Sequence, residues 1–157
     1  MRFVRGLAVA GGLVSLGVAL MVVASVVLRS GLVGLAGVPG DFELVQMLTA
    51  VSVFCFLPLC QARGGHVIVD VATRRLPERV CRRIDGLWEL VAAAVMGLIA
   101  VQLAQGAFGI GASGTRTMVL GLPVAPAVGV CAALALVLAG IALRRGILGF
   151  GGGRAGE

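Results

Sequence analysis

The sequence predicts an all-α integral membrane protein with four transmembrane helices plus a short amphipathic interfacial helix between the second and third. Three observations lead there. Of the 157 residues, 59% are hydrophobic and only 13% charged, whereas ordinary soluble domains are about 45–50% apolar, and a water-soluble core cannot hide the excess. Four uncharged apolar stretches each come close to or exceed the about 20 residues that cross a hydrocarbon layer of about 30 Å as a helix. The arginines, finally, segregate into alternate gaps between those stretches. The 25 glycines are scattered through apolar runs rather than gathered in polar tracts, which argues against disorder.

The first span covers 6–28. Arg2 and Arg5 precede it, and Val22, Val23 and Ala24 offer small residues for cleavage, but the run is longer than the about 7–15 residues of a secretory h-region, so an uncleaved span is expected. The second covers 44–62, is broken by Pro58 and carries Gln46, Thr49, Ser52 and Gln61. The third covers 90–112, with Gln102 and Gln105 as its polar residues. The fourth covers 123–143 and begins at Pro123, a residue suited to a first helical turn, where its missing N–H has no intrahelical use. Together they make 1–157 a single membrane domain, with 63–85 as a connection containing the amphipathic helix and 144–157 as a tail.

All 13 basic residues are arginine. Placing both termini in the cytoplasm puts Arg2, Arg5, Arg63, Arg74, Arg75, Arg79, Arg82, Arg83, Arg144, Arg145 and Arg154 inside and leaves only Arg29 and Arg116 outside. That asymmetry sets the orientation under the positive-inside rule. Phe3, Trp88 and Phe150 fall at the inner edges of spans, where aromatic rings favour the headgroup region.

The inner connection is the most charged part of the chain. Leu76, Val80, Ile84, Leu87 and Val91 recur every three or four residues, the period of an amphipathic helix, with Pro77 at its first position. Glu78 and Arg82 stand one turn apart on its wet face, and Arg74, Arg75, Arg79 and Arg83 complete a positive cluster beside the inner leaflet. That cluster either fixes topology or contacts anionic lipid or acidic groups of a partner. Upstream, His66 and Asp70 are four residues apart, where a helical turn would let the carboxylate accept from the imidazole and pin the connection. On the outer side Arg29 closes the first span. Asp41 and Glu43 open the second, where carboxylates gain from the helix dipole; Glu43 could also pair with Arg29 or reach into a partner interface. Small residues recur at four-residue spacing, as in Ala8 with Gly12, Ser15 with Ala19, Ala93 with Gly97, Gly129 with Ala133 and Ala135 with Ala139, allowing close helix contact. Cys55, Cys60, Cys81 and Cys131 form no C-x-x-C pair and read as small buried hydrophobes.

Several function classes lack their residues. Every acidic side chain lies at a span boundary, in a connection or in the tail, so the mid-membrane charge typical of a polar-substrate pathway is missing. There is no Ser/His/Asp set, carboxylate cluster or phosphate-cradling glycine loop, and the single histidine excludes a bis-histidine haem. No soluble basic domain exists to hold nucleic acid. The expectation is a non-enzymatic scaffold or accessory subunit without cofactor or metal. A stand-alone four-helix exporter of the small multidrug type would want a carboxylate within the first span, and 6–28 has none.

The order of several features along the chain carries a resemblance: Arg29 after the first span, Glu43-Leu44 opening the second, His66-Val67-x-Val69-Asp70, then Leu76-Pro77-x-Arg79 and Asp85, and Thr117 before Leu120-Gly121-Leu122-Pro123. In this the chain resembles the small membrane subunit, the DctQ-type small permease, of the tripartite ATP-independent periplasmic (TRAP) transporters. The small subunit of the tripartite tricarboxylate transporters shares its size and span count. The resemblance implies a multi-pass protein of a bacterial inner membrane that assembles with a large permease subunit. A periplasmic solute-binding protein, contacted directly or through that subunit, would supply an organic acid for sodium-coupled uptake. From the residues themselves, Arg29 and Glu43 are expected to make contacts on the outer side and His66 and Asp70 to hold the inner connection, with lipid or partner contacts expected for Arg74, Arg75, Arg79, Arg82 and Arg83.

Overall fold

The computed structural model describes residues 2–30, 39–63 and 78–150, leaving aside the side chains at 78, 79, 82, 149 and 150. Four helices account for nearly all of them: α1 (Arg2–Arg29), α2 (Asp41–Ala62), α3 (Glu78–Ser113) and α4 (Ala125–Phe150). Each is long and apolar enough to cross a membrane. Among the described residues the only extended pairing is one bridge between Arg116 and Pro123.

Each helix extends past the run counted in the sequence, because helical hydrogen bonding continues through the polar turns at its ends. Pro58 does not end α2, which runs on to Ala62 with the proline buried; neighbouring helices allow membrane helices to carry prolines that would break an exposed one. At α4 the expected start moves: Pro123 lies in the loop opposite Arg116, and Pro126 occupies the first turn instead. The amphipathic stretch begins outside the described residues, and from Glu78 onward it belongs to α3, which continues without interruption into the apolar span.

The helices pack in the order α1, α2, α4, α3, each mainly against its neighbour in that series, with α3 on α4 the most extensive contact. The start of α1 and the end of α4 lie at one end of this row, called here the terminal end; the α3–α4 loop lies at the other, the loop end. Small side chains dominate the buried positions, among them Ala93, Ala100, Cys131, Ala132, Ala135 and Ala142, together with Leu134 and Leu138. Without a hydrophobic drive between helices in lipid, close backbone approach and polar contacts supply the adhesion.

The closest approaches fall on two glycines. A Cβ on Gly11 would stand 2.7 Å from the Cys55 Cβ and 3.2 Å from the Ser52 carbonyl oxygen. There Ser52 donates its hydroxyl to the Gly11 carbonyl at 2.8 Å and shares a 2.5 Å hydroxyl contact with Ser15. Interhelical hydrogen bonds of this kind contribute about 0.6 to 1.7 kcal/mol in a bilayer. Gly146 of α4 likewise admits Leu90 and the Gly86 carbonyl of α3. The expected small-residue partner Gly12 has open space around it, and Gly129 with Ala133 lines an open groove between α3 and α4 together with Ala104, Ala107 and Phe108. Of the cysteines, Cys55 and Cys131 are buried, Cys81 is half-buried, and Cys60 faces outward from α2, contrary to expectation.

Candidate functional site

The polar side chains inside this apolar framework collect at the two ends of the row. At the terminal end, three helices bring one group each. Gln61 closes α2 with its side chain buried; Glu89 lies early in α3; Arg145 follows the apolar run of α4. The Gln61 amide donates to Glu89 Oε2. Arg145 places its Nε 3.1 Å from Glu89 Oε1 and donates through one terminal nitrogen to the carbonyls of Gln61 and Ala62 at 2.7 and 2.9 Å. Those carbonyls are among the last of α2, which have no intrahelical donor, so the guanidinium caps that helix while neutralising the carboxylate of another. The two charged side chains are 30% and 19% exposed, buried enough for the pair to be held by its hydrogen bonds rather than screened away.

The loop end is organised differently. Gly40 precedes α2 with φ 74°, and the Glu43 and Leu44 amides bond back to its carbonyl. A Cβ there would stand 2.5 Å from Leu120, so the glycine serves both the left-handed turn and the seating of that leucine. Glu43 accepts the amides of Val119 and Leu120 at 2.8 and 3.0 Å, holding the tip of the α3–α4 loop against the start of α2. Within that loop Thr117 exchanges bonds with Leu122 and accepts from the Gly121 amide, and Arg116 donates to the Gly121 carbonyl. Its outermost side chain, Met118, is wholly exposed.

Asp41, next to this contact, ties α2 to α1: it accepts from buried Ser25 at 2.5 Å and from the Phe42 amide at 2.8 Å, and Arg29 stands 3.6 Å away. Arg29 is 67% exposed and borders a shallow cleft with Val22, Ser25, Val26, Ser30 and Asp41. Arg29 therefore meets Asp41 and not Glu43.

Of the other residues singled out in the sequence, Arg79 and Arg82 lie on the first turns of α3, and Arg83 is exposed there. His66, Asp70, Arg74 and Arg75 lie outside the described residues. The three-helix cluster of Gln61, Glu89 and Arg145 was missed. Its signal was equal depth: each residue stands at the same end of its own apolar run, the terminal end of the row. Among the described residues no group of three His, Cys, Asp or Glu side chains could hold a metal ion. What the arrangement does chemically is fix helices to one another.

No curated protein and no solved structure matches the chain. The family model described as "Tripartite ATP-independent periplasmic transporters, DctQ component" matches residues 18–149, a stretch that contains both polar clusters and all four helices in whole or part. The chain therefore belongs to the DctQ family, the small permease component of the TRAP transporters.

Proposed function

We propose that the chain is a non-catalytic accessory subunit that assembles with a large permease subunit in a bacterial inner membrane and widens its static framework. Both termini face the cytoplasm in this reading, so the cluster of Gln61, Glu89 and Arg145 lies at the inner surface and the Glu43 contact at the outer one. The observation that carries the proposal is the family match over residues 18–149. The distribution of charge supports it: the stretches 6–28, 44–62, 90–115 and 117–143 carry no charged side chain.

Substrate choice and sodium coupling belong to the partners in this reading: a periplasmic solute-binding protein delivers an organic acid, and the large subunit moves it. The arginines from Arg74 to Arg83 lie on the inner leaflet, with the amphipathic stretch from Leu76 in the headgroup region. Arg29 and Glu43 serve the outer face, His66 and Asp70 the inner connection.

Affinity purification of the tagged chain in mild detergent tests the proposal. A much larger hydrophobic protein is expected in the eluate; recovery of a stable homo-oligomer alone would sink the accessory-subunit reading.

A further inference from the structure

The two helices at the ends of the row present different outward faces. Between its terminal arginines α1 has only two polar side chains, Ser15 and Ser25, and both bond to α2. What α1 turns outward is aliphatic: Val9, Leu13, Leu16, Leu20, Val23 and Val27. That face is solvated by lipid at no cost.

α3 is not like this. Its exposed stripe runs from Trp88 through Val91, Val95 and Leu98, and then becomes Gln102 and Gln105. Both glutamines are exposed, and neither has a hydrogen-bond partner among the described residues. Beside them Gly106 and Gly109 leave the backbone bare, with no atom of another described helix within 4 Å of where a Cβ would be. Counting from the apolar stretch 90–112, Gln102 sits close to the middle of the bilayer and about 15 Å from its outer edge at 1.5 Å per residue, too far for a glutamine to reach water. A primary amide facing hydrocarbon loses its hydrogen bonds at a cost of about 4 to 8 kcal/mol on the alkane scale, and acyl chains return none of them.

We propose that this face of α3 seats a transmembrane helix of a larger partner subunit, which meets Gln102 and Gln105 with hydrogen-bonding groups at mid-bilayer depth and packs closely over Gly106 and Gly109. The proposal rests on the accessory-subunit reading above and adds the surface through which it operates. Two features select a protein helix over lipid. The amides need donors and acceptors that only protein supplies at that depth, and the bare glycines let a second backbone come near enough to supply them. The family's tripartite composition selects a different subunit over a second copy.

The test is photo-crosslinking in native membranes. Benzoylphenylalanine is placed singly at Gln102, Gln105, Leu16 or Leu20, and tagged wild-type chain is purified in parallel to score the large subunit. Adducts with the large subunit from Gln102 and Gln105, and none from Leu16 or Leu20, are expected. The pair Gln102→Leu with Gln105→Leu should weaken recovery of the large subunit about 3- to 20-fold, while Leu16→Ala leaves it unchanged. If the large subunit co-purifies but crosslinks from α1 or only lipid adducts form at α3, the face is wrong and the accessory reading stands. Adducts between two copies of the chain through Gln102 overturn the choice of partner. If no large subunit co-purifies with the wild-type chain, both readings fall together.

Discussion

The two ends of the helix row solve the same problem by unlike means. At the terminal end, Gln61, Glu89 and Arg145 come from three helices and close on one another, so the cluster joins the pair α1–α2 to the pair α3–α4. At the loop end, a carboxylate on α2 holds backbone amides of the α3–α4 loop, and a second carboxylate holds a hydroxyl of α1. The first is a half-buried charge pair; in the second the Glu43 contacts are open caps on exposed amides, beside the half-buried bond of Asp41 to Ser25. A half-buried pair is costly to break because the survivor keeps its charge without its partner, whereas an open cap is replaced by water. Global stability therefore resides at the terminal end and local loop order at the other.

The largest effect should come from Glu89→Ala, which leaves the Arg145 guanidinium and the Gln61 amide without their shared acceptor. A loss of about 2 to 4 kcal/mol is expected in detergent unfolding, somewhat below the range for fully buried pairs because both groups retain some exposure. Adding Arg145→Ala should recover part of the loss; a strictly additive double mutant would mean that the pair is not coupled. Gly40→Ala comes next, at about 1 to 2 kcal/mol, since alanine must take the left-handed turn and meet Leu120 as well. Seating a smaller residue opposite, as in Leu120→Ala, should relieve the steric part and leave the backbone part.

Glu43→Gln ranks third and sharpens the contrast. With a single acceptor oxygen left, one of the Val119 and Leu120 amides loses its partner, so hydrogen exchange should quicken in the α3–α4 loop while the melting temperature barely moves. A large drop in melting temperature would erase the distinction between the two ends. The smallest effect belongs to Arg29→Ala: an exposed guanidinium 3.6 Å from its carboxylate is screened by salt, and stability at physiological ionic strength should match the parent chain.

Much of this was legible in the sequence, and the rest was hidden for identifiable reasons. Span number follows from apolar length, a local property, and the four helices lie over the four counted runs. Glu43 was marked, but which group it meets depends on where the α3–α4 loop folds back, more than seventy residues away in the chain. The alternative of pairing with Arg29 failed because Asp41 stands nearer and takes that role with Ser25. Glu89 and Arg145 were each noticed separately, one as a boundary carboxylate and the other as a topology charge. Nothing local says that the end of α2, the start of α3 and the end of α4 come together. Packing order is likewise invisible to periodicity in helices that are apolar all round, because such helices do not advertise which side meets protein.

The packing order has one further consequence. Contacts that run α1 to α2 to α4 to α3 form an open chain, and an open chain encloses nothing. Four helices arranged as a ring or a square would surround a lumen that side chains could line; a single file one helix thick has two faces and two edges but no inside. Among the described residues the row is a wall and not a pipe, and any group that meets these helices from outside does so on a face or an edge.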